Sequence, residues 1–176
     1  MKKIIVHCDG ACEGNPGPGG WAAVLQYGEK RREICESVLA TTNNRMELQA
    51  AIEALRALKE ICEVEVHTDS EYLRQGMTSW VRGWKVKGWK TKERRPVKNA
   101  DLWQELDVLA SKHKVTWHWL KGHAGHVENE RCDILAVEQI ALLRGKHKPE
   151  ELRNALNAFK EKAAFATQVS DPRLLG

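Results

Sequence analysis

The sequence predicts an α/β protein built on one five-stranded mixed sheet, with three strands antiparallel, two further strands parallel to the first, and helices on both faces. Three observations carry this. The first forty residues hold three strand-like stretches joined by short links, which fold as an antiparallel meander. Helical and strand-like stretches then alternate, and strands separated by helices cross over to lie parallel. A chain of 176 residues is long enough for one domain with a sizeable core.

The first strand is expected over 2–9, where Ile4, Ile5 and Val6 lead up to Asp9. β-Branched residues suit a buried strand. From Gly10 to Gly20 the chain holds five glycines and two prolines, which end the strand because Gly admits positive φ and Pro removes a donor. A carboxylate therefore stands at the mouth of a core strand. The second strand is expected over 20–27 and the third over 33–39. Thr41, Thr42, Asn43 and Asn44 then offer helix caps, with Glu47 three residues beyond Asn44, close to a capping box. The helix runs to about Lys59, its buried stripe made by Leu48, Ala51, Ile52, Leu55 and Leu58. Glu47 shares a face with Ala51, Ala54 and Leu58 and so points to the core side. Capping its own helix is the competing role, and both can hold.

The fourth strand, 64–69, ends in a second acid, Asp69, and Ser70 opens a helix through Met77. From Thr78 to Lys98 the periodicity dissolves into Trp80, Trp84 and Trp89 among basic residues. A helix restarts at Asn99 or Asp101, a fifth strand covers 115–120, a Gly/His loop covers 121–126, and a helix runs from Val127 to about Leu143. On it Asp133, Val137 and Ile140 share a face. Beyond lies a tail with a helical stretch from Pro149, apolar along Leu152, Leu156 and Phe159, and frayed from Gln168. The expected division is a catalytic domain over 1–145, including a protrusion at about 80–98, and a C-terminal tail over 146–176.

Charge placement narrows the function. Between Trp80 and Lys98 lie eight basic residues and one acid, a net +7; the whole chain is +4, so the remainder carries −3. A mildly acidic body with one basic protrusion suits a polyanion gripped at one place. Five cysteines, an odd number without CxxC spacing, read as reduced thiols and not as a disulfide frame or zinc site. No signal-peptide core and no membrane-length apolar run is present, so a cytoplasmic, monomeric protein is expected. His7, His67 and His118 lie within strands and read as packed or edge histidines. His126 reads as a helix-entry residue and Glu130 as a solvated one, with Asn129 within reach of the site.

Asp9 and Asp69 end strands, and Glu47 and Asp133 sit on inward helix faces. If the two strands are parallel neighbours, their acids emerge at the carboxyl edge of the sheet, where open α/β sheets bind ligands. Acids packed that closely stay partly protonated or hold a cation. All-oxygen ligation selects Mg²⁺ or Mn²⁺. Two such ions about 4 Å apart activate water on one side of a phosphate and steady the leaving oxygen on the other. With the basic protrusion, this points to phosphodiester hydrolysis on nucleic acid.

Four stretches also carry a resemblance: Asp9 to Trp21 (DGACEGNPGPGGW), Thr42 to Leu48 (TNNRMEL), Thr68-Asp69-Ser70, and Gly122 to Asp133 (GHAGHVENERCD). In order and spacing over about residues 1–145 they resemble bacterial ribonuclease H of type 1. The resemblance implies the ribonuclease H-like fold and endonucleolytic cutting of the RNA strand of RNA–DNA hybrids, leaving 5′-phosphate and 3′-hydroxyl ends. It implies Asp9, Glu47, Asp69 and Asp133 as metal-binding catalytic acids and His123 as the histidine that assists proton transfer or product release. Substrate contacts are expected from Gly10, Cys12, Asn15, Thr42, Asn43 and Asn44, with Asn15 and Thr42 near a DNA-strand phosphate. The protrusion adds Trp80, Trp84, Lys85, Lys87 and Trp89, although Trp80, Trp84 and Trp103 also read as core. Glu71 stands where the family often carries Gln, and Val127 where Pro often follows the histidine loop. A DNA strand-transfer or resolving nuclease of the same fold is a competing reading. So is a non-catalytic hybrid-binding module, which would dispense with at least one of the four acids.

Overall fold

The computed structural model describes residues 1–169. β1 (Lys2–Cys12), β2 (Gly17–Tyr27) and β3 (Lys30–Thr41) form the meander. α1 (Asn43–Arg56) leads to β4 (Cys62–Thr68), which pairs parallel to β1 with His7 opposite His67. A helical run follows: α2 (Glu71–Gln75), a π-helical turn (Gly76–Trp80) and α3 (Val81–Val86). α4 (Ala100–Ser111) precedes β5 (Lys114–Trp119), parallel to β4, and α5 (Val127–Lys146) and α6 (Pro149–Val169) complete the order. The strand order is β3-β2-β1-β4-β5, with α1 on one face of the sheet, α4 stacked against α1, and α5 on the other face. The expected mixed sheet is the one observed.

Several boundaries move, each for a physical reason. β1 runs three residues beyond Asp9, and β2 starts at Gly17 instead of Gly20, because Gly10, Ala11 and Cys12 pair with Trp21, Gly20 and Gly19. Glycine serves here by lacking a side chain. A Cβ at Gly20 would lie 2.2 Å from the Ala136 carbonyl of α5, and one at Gly10 would lie 2.5 Å from the Glu47 nitrogen of α1. β3 is longer than expected at both ends because β2 pairs along almost its whole length.

Of the four cap candidates Thr42 is the cap of α1, its Oγ1 accepting from the Arg45 N–H at 3.3 Å. Glu47 therefore lies past the first turn and takes no part in a capping box. The helix closes at Arg56, short of Lys59.

The stretch after Met77 is not patternless chain. Ser70 caps α2 through its Oγ, which accepts from the Leu73 N–H at 3.1 Å, and the helix continues through the π turn to Val86. A π turn inserts an extra residue and breaks the 3.6-residue period, which hides the helix from pattern reading. Gly76 fits this turn because a Cβ there would meet the Trp103 ring at 1.9 Å.

The main core lies between the sheet and α1, α2 and α4, around Val6, Leu48, Ile52, Val66, Leu73 and the fully buried Trp103. A smaller core of Ala22, Val24, Cys132, Leu135 and Ala136 lies beneath α5. Val137 is 49% exposed, so the packed face of α5 runs through Cys132, Ala136 and Ile140, and Asp133 sits at its flank. All five cysteines are free. No helix among the described residues is long and apolar enough to cross a membrane. Leu152 of α6 is buried, and α6 packs on β2 and β3.

Candidate active site

Three acids from three elements converge. β1 supplies Asp9, α1 supplies Glu47, and the residue after β4 is Asp69; one carboxylate oxygen of each lies within 4.8 Å of the others. Parallel pairing of β1 and β4 brings the first and third to one sheet edge. The missing Cβ of Gly10 lets the first turns of α1 approach β1 closely enough to add the second. Asp9 and Glu47 are each only 4% exposed.

Such a cluster resists full ionisation. Burial, then the charge of Asp69, raises the Asp9 carboxyl to about 7, while the Gly10 N–H, 2.9 Å from Oδ1, acts in the opposite direction. Burial and then the charge of Asp9 push Glu47 upward as well. Glu47 Oε2 is buried without a hydrogen-bond partner. An electron-rich pocket with an unpartnered oxygen and an all-carboxylate donor set fits a hard divalent cation.

Neighbouring groups hold Asp69 in place. Its backbone carbonyl accepts from the Trp119 indole N–H at 3.0 Å, tying it to the end of β5. Its Oδ2 accepts from the Asn129 side-chain amide at 3.4 Å. Asn129 is 2% exposed and its own Oδ1 has no partner. The signal for Asn129 in the sequence is its position four residues before Asp133, on the same face of α5. Gly122 is a second residue of this kind: a Cβ there would come 2.8 Å from Asp69 Oδ2.

Asp133 is half-buried and lies outside the 4.8 Å group, although its charge contributes to raising Asp9. His123 is exposed at φ 55° in the loop that begins against Asp69. Glu130, expected to be solvated, braces that loop by accepting from the Gly125 N–H at 3.2 Å. Glu71 is outside the converging group and accepts from Arg74 at 2.9 Å and Gln75 at 3.1 Å. Val127 is 74% exposed.

The remaining predicted residues fall into two groups. At the loop, Asn15 Oδ1 accepts from the Asn43 N–H at 2.9 Å, beside the Thr42 cap, and Asn43 and Asn44 lie half-buried at the same helix mouth. The Cys12 thiol faces the Gly17 and Thr41 carbonyls at 3.6 and 3.4 Å, so it braces the loop. The second group is an aromatic chain. Trp80, Trp84 and Trp89 step outward, with Trp84 5.5 Å from the buried Trp103 and 6.5 Å from Trp89. Trp103 is anchored through its indole N–H to the Tyr72 hydroxyl at 3.0 Å. The Trp residues thus pack the base of the protrusion. Lys87 is exposed, whereas Lys85 pairs with Asp107 at 3.0 Å.

The strand histidines form a ladder. His7, His67 and His118 stack across β1, β4 and β5 with ring centroids 4.9 Å apart at each step. Burial lowers His7 to about 4, and the charge of His67 adds to this. They lie two residues before Asp9, Asp69 and Leu120; His7 and His67 are half-buried in the sheet, and His118 is exposed on the edge strand β5.

Together, the sheet and its edge define an α/β protein with a cluster of carboxylates, able to hold a cation, at the ends of its parallel strands. Residues 1–141 match the family model described as RNase H. Ribonuclease H of Bradyrhizobium sp. (strain ORS 278) is 58% identical over 144 residues, 82% of this chain and 94% of the relative. Ribonuclease HI of Caulobacter vibrioides is 58% identical over 136 residues, 77% of this chain and 91% of the relative. The chain belongs to the ribonuclease H family. Among solved structures, LC9-RNase H1, described as a type 1 RNase H with the type 2 active-site motif, aligns with a TM-score of 0.73 at 38% identity, covering 80% of this chain and 73% of that one. LC11-RNase H1, solved in complex with RNA/DNA hybrid, shares the fold at a TM-score of 0.61 and 24% identity, covering 80% of this chain and 98% of that one.

Proposed function

We propose that this chain is a metal-dependent endonuclease that hydrolyses the RNA strand of RNA–DNA hybrids, leaving 5′-phosphate and 3′-hydroxyl ends. The observation that carries the reading is the convergence of Asp9, Glu47 and Asp69 within 4.8 Å, two of them buried, in a chain of the ribonuclease H family. These three acids hold the cation, with Asp133 completing the set from the flank of α5. The ion is Mg²⁺, with Mn²⁺ able to replace it, and two ions suit this number of carboxylates. A divalent cation at such a site lowers the pKa of a bound water and offsets charge on the scissile phosphate.

The chain's own groups supply the rest. Asn129 orients Asp69, and the indole of Trp119 fixes the backbone from which Asp69 projects. His123, on its loop, takes up or passes on a proton at an imidazole nitrogen as the product leaves. Telling RNA from DNA requires a contact to the 2′-hydroxyl, which both donates and accepts. The Gly10 backbone, next to Asp9, and the amides of Asn43 and Asn44, in the first turn of the helix that carries Glu47, supply such contacts. Asn15 and Thr42 take a phosphate of the DNA strand. Lys87, together with Lys85 and the outer Trp faces, grips the duplex from the protrusion, so binding weakens as salt rises. The working unit is a monomer.

The test is cleavage of end-labelled RNA–DNA, DNA–DNA and RNA–RNA duplexes with Mg²⁺, comparing wild type with Asp9→Asn and Asp69→Asn. The expected result is cutting of the hybrid's RNA strand alone, lost in both variants. Binding of the hybrid without cutting by wild type would overturn the reading in favour of a binding module, and cutting of DNA duplexes would favour a DNA-processing nuclease.

A further inference from the structure

α6 lies beyond the residues that match the family model, which end at 141. With the loop between β1 and β2 it frames a cleft of about 470 Å³. One wall is the loop, including Glu13; the other is the end of α5 and one face of α6, including Arg144, Arg153, Leu156 and Lys160. The segment that forms this wall, Glu13 to Pro18, spans the loop and the start of β2 and contains Asn15.

The charges in the cleft are unequally occupied. Arg144 is paired with Glu13 at 2.6 Å, so these two cancel and tie α5 to the loop. His147 is engaged by Glu151 at 2.9 Å. Arg153 and Lys160 are exposed, and among the described residues neither has an ion-pair partner within 4.0 Å. Two cations seven residues apart on a helix are separated by about 10.5 Å. Seven residues are close to two full turns, so both cations lie on one face of α6 and line the same cleft, where they can meet phosphates of one backbone.

We propose that Arg153 and Lys160 extend the substrate grip of this chain past Asn15, holding the sugar-phosphate backbone of a hybrid that reaches beyond the catalytic acids. The inference rests on the hybrid-nuclease reading. It assigns the C-terminal helix a role in selecting long hybrids over short ones. The arrangement favours a polyanion over a protein partner because the unpaired groups are both cationic and the apolar residues Leu152 and Leu156 are already half or fully buried in this chain.

The test compares wild type with the double substitution Arg153→Gln plus Lys160→Gln on hybrids of about 9 and about 24 base pairs, over a range of salt. Both side chains are exposed, so folding is unaffected, and an unchanged Tm checks this. The expected result is a KM about tenfold higher on the long hybrid only, unchanged kcat, and a log KM against log salt slope shallower by about 1.5 to 2, since each phosphate contact contributes close to one. Equal KM and equal slope on both hybrids would overturn the proposal. So would an equal loss on short and long hybrids, which marks a structural role. A change of oligomeric mass with unchanged KM would assign the helix to a protein contact. Wild type that cuts neither hybrid would refute the hybrid-nuclease reading itself, a result separate from all of these.

Discussion

The substitution Asp9→Asn should stabilise the metal-free protein at neutral pH while abolishing catalysis. Asp9 has an ordinary carboxyl value of 3.8 and is raised to about 7 in the fold, burial being the largest cause and Asp69 the next. The sign follows from proton counts. A raised acid binds its proton more tightly in the folded chain, so folding is favoured at low pH, and stability falls as pH rises from about 4 towards about 7. About 3 pH units at about 1.4 kcal/mol each is about 4 kcal/mol. For a chain of this size each kcal/mol moves Tm by about 2–4 °C, which predicts a gain of about 8–16 °C. Asparagine keeps the Gly10 N–H bond to its side-chain oxygen and offers Glu47 a donor. Calorimetry in metal-free buffer at pH 4.5 and 7.5 reads the effect: the variant should exceed wild type by about 1 kcal/mol at the lower pH and by about 4 kcal/mol at the higher. Millimolar Mg²⁺ should then raise the Tm of wild type and leave the variant unchanged, since ligand binding stabilises only a chain that has the site. A variant no more stable than wild type at pH 7.5, with the same pH slope, would refute the reasoning.

Gly10→Ala should cost about 1–3 kcal/mol by overpacking and should reduce cleavage more than tenfold, because the added Cβ pushes on the backbone that carries Glu47; urea melts and single-turnover assays check the two effects. Asn129→Ala should leave the fold intact and weaken metal affinity about 10–100-fold, the cost of losing an outer-shell partner, read by calorimetric titration with Mn²⁺ or Mg²⁺. Gly122→Ala, which places a Cβ against Asp69, should lower kcat with little change in hybrid KM. Deletion of residues 149–176 should lower Tm by several degrees, because Leu152 is buried, yet leave short hybrids cut at a near wild-type rate, as a gel assay would show.

Much of the fold was legible because it rests on local chemistry. Ile4, Ile5 and Val6 ahead of an acid, Val64 and Val66 ahead of another, and the helical stripe of Leu48, Ile52 and Leu55 each carry their own period. Alternation of strands and helices then dictated the parallel crossovers, and with them the meeting of Asp9 and Asp69. Two elements were obscured. The helix from Glu71 to Val86 contains a π turn at Gly76, and a single extra residue erases the period that pattern reading depends on. The strand content of the glycine stretch was hidden because those glycines pair with β1 and admit Met46, Thr41 and Ala136 at close range, which depends on neighbours far away in the chain.

The sequence by itself determined which residues have the right chemistry: four acids in strand-end and helix-face positions, a glycine-rich entry, and a basic, tryptophan-bearing segment. Tertiary structure alone decided how they are used. It placed three of the acids within 4.8 Å and left Asp133 at the flank. It turned Glu71 onto Arg74, directed the Cys12 thiol into the loop, and brought α6 alongside that loop with Arg153 and Lys160 unpaired among the described residues. The physical reason is that residue type and periodicity are local properties, whereas burial, distance and the shift of a carboxyl depend on which distant segment packs against it.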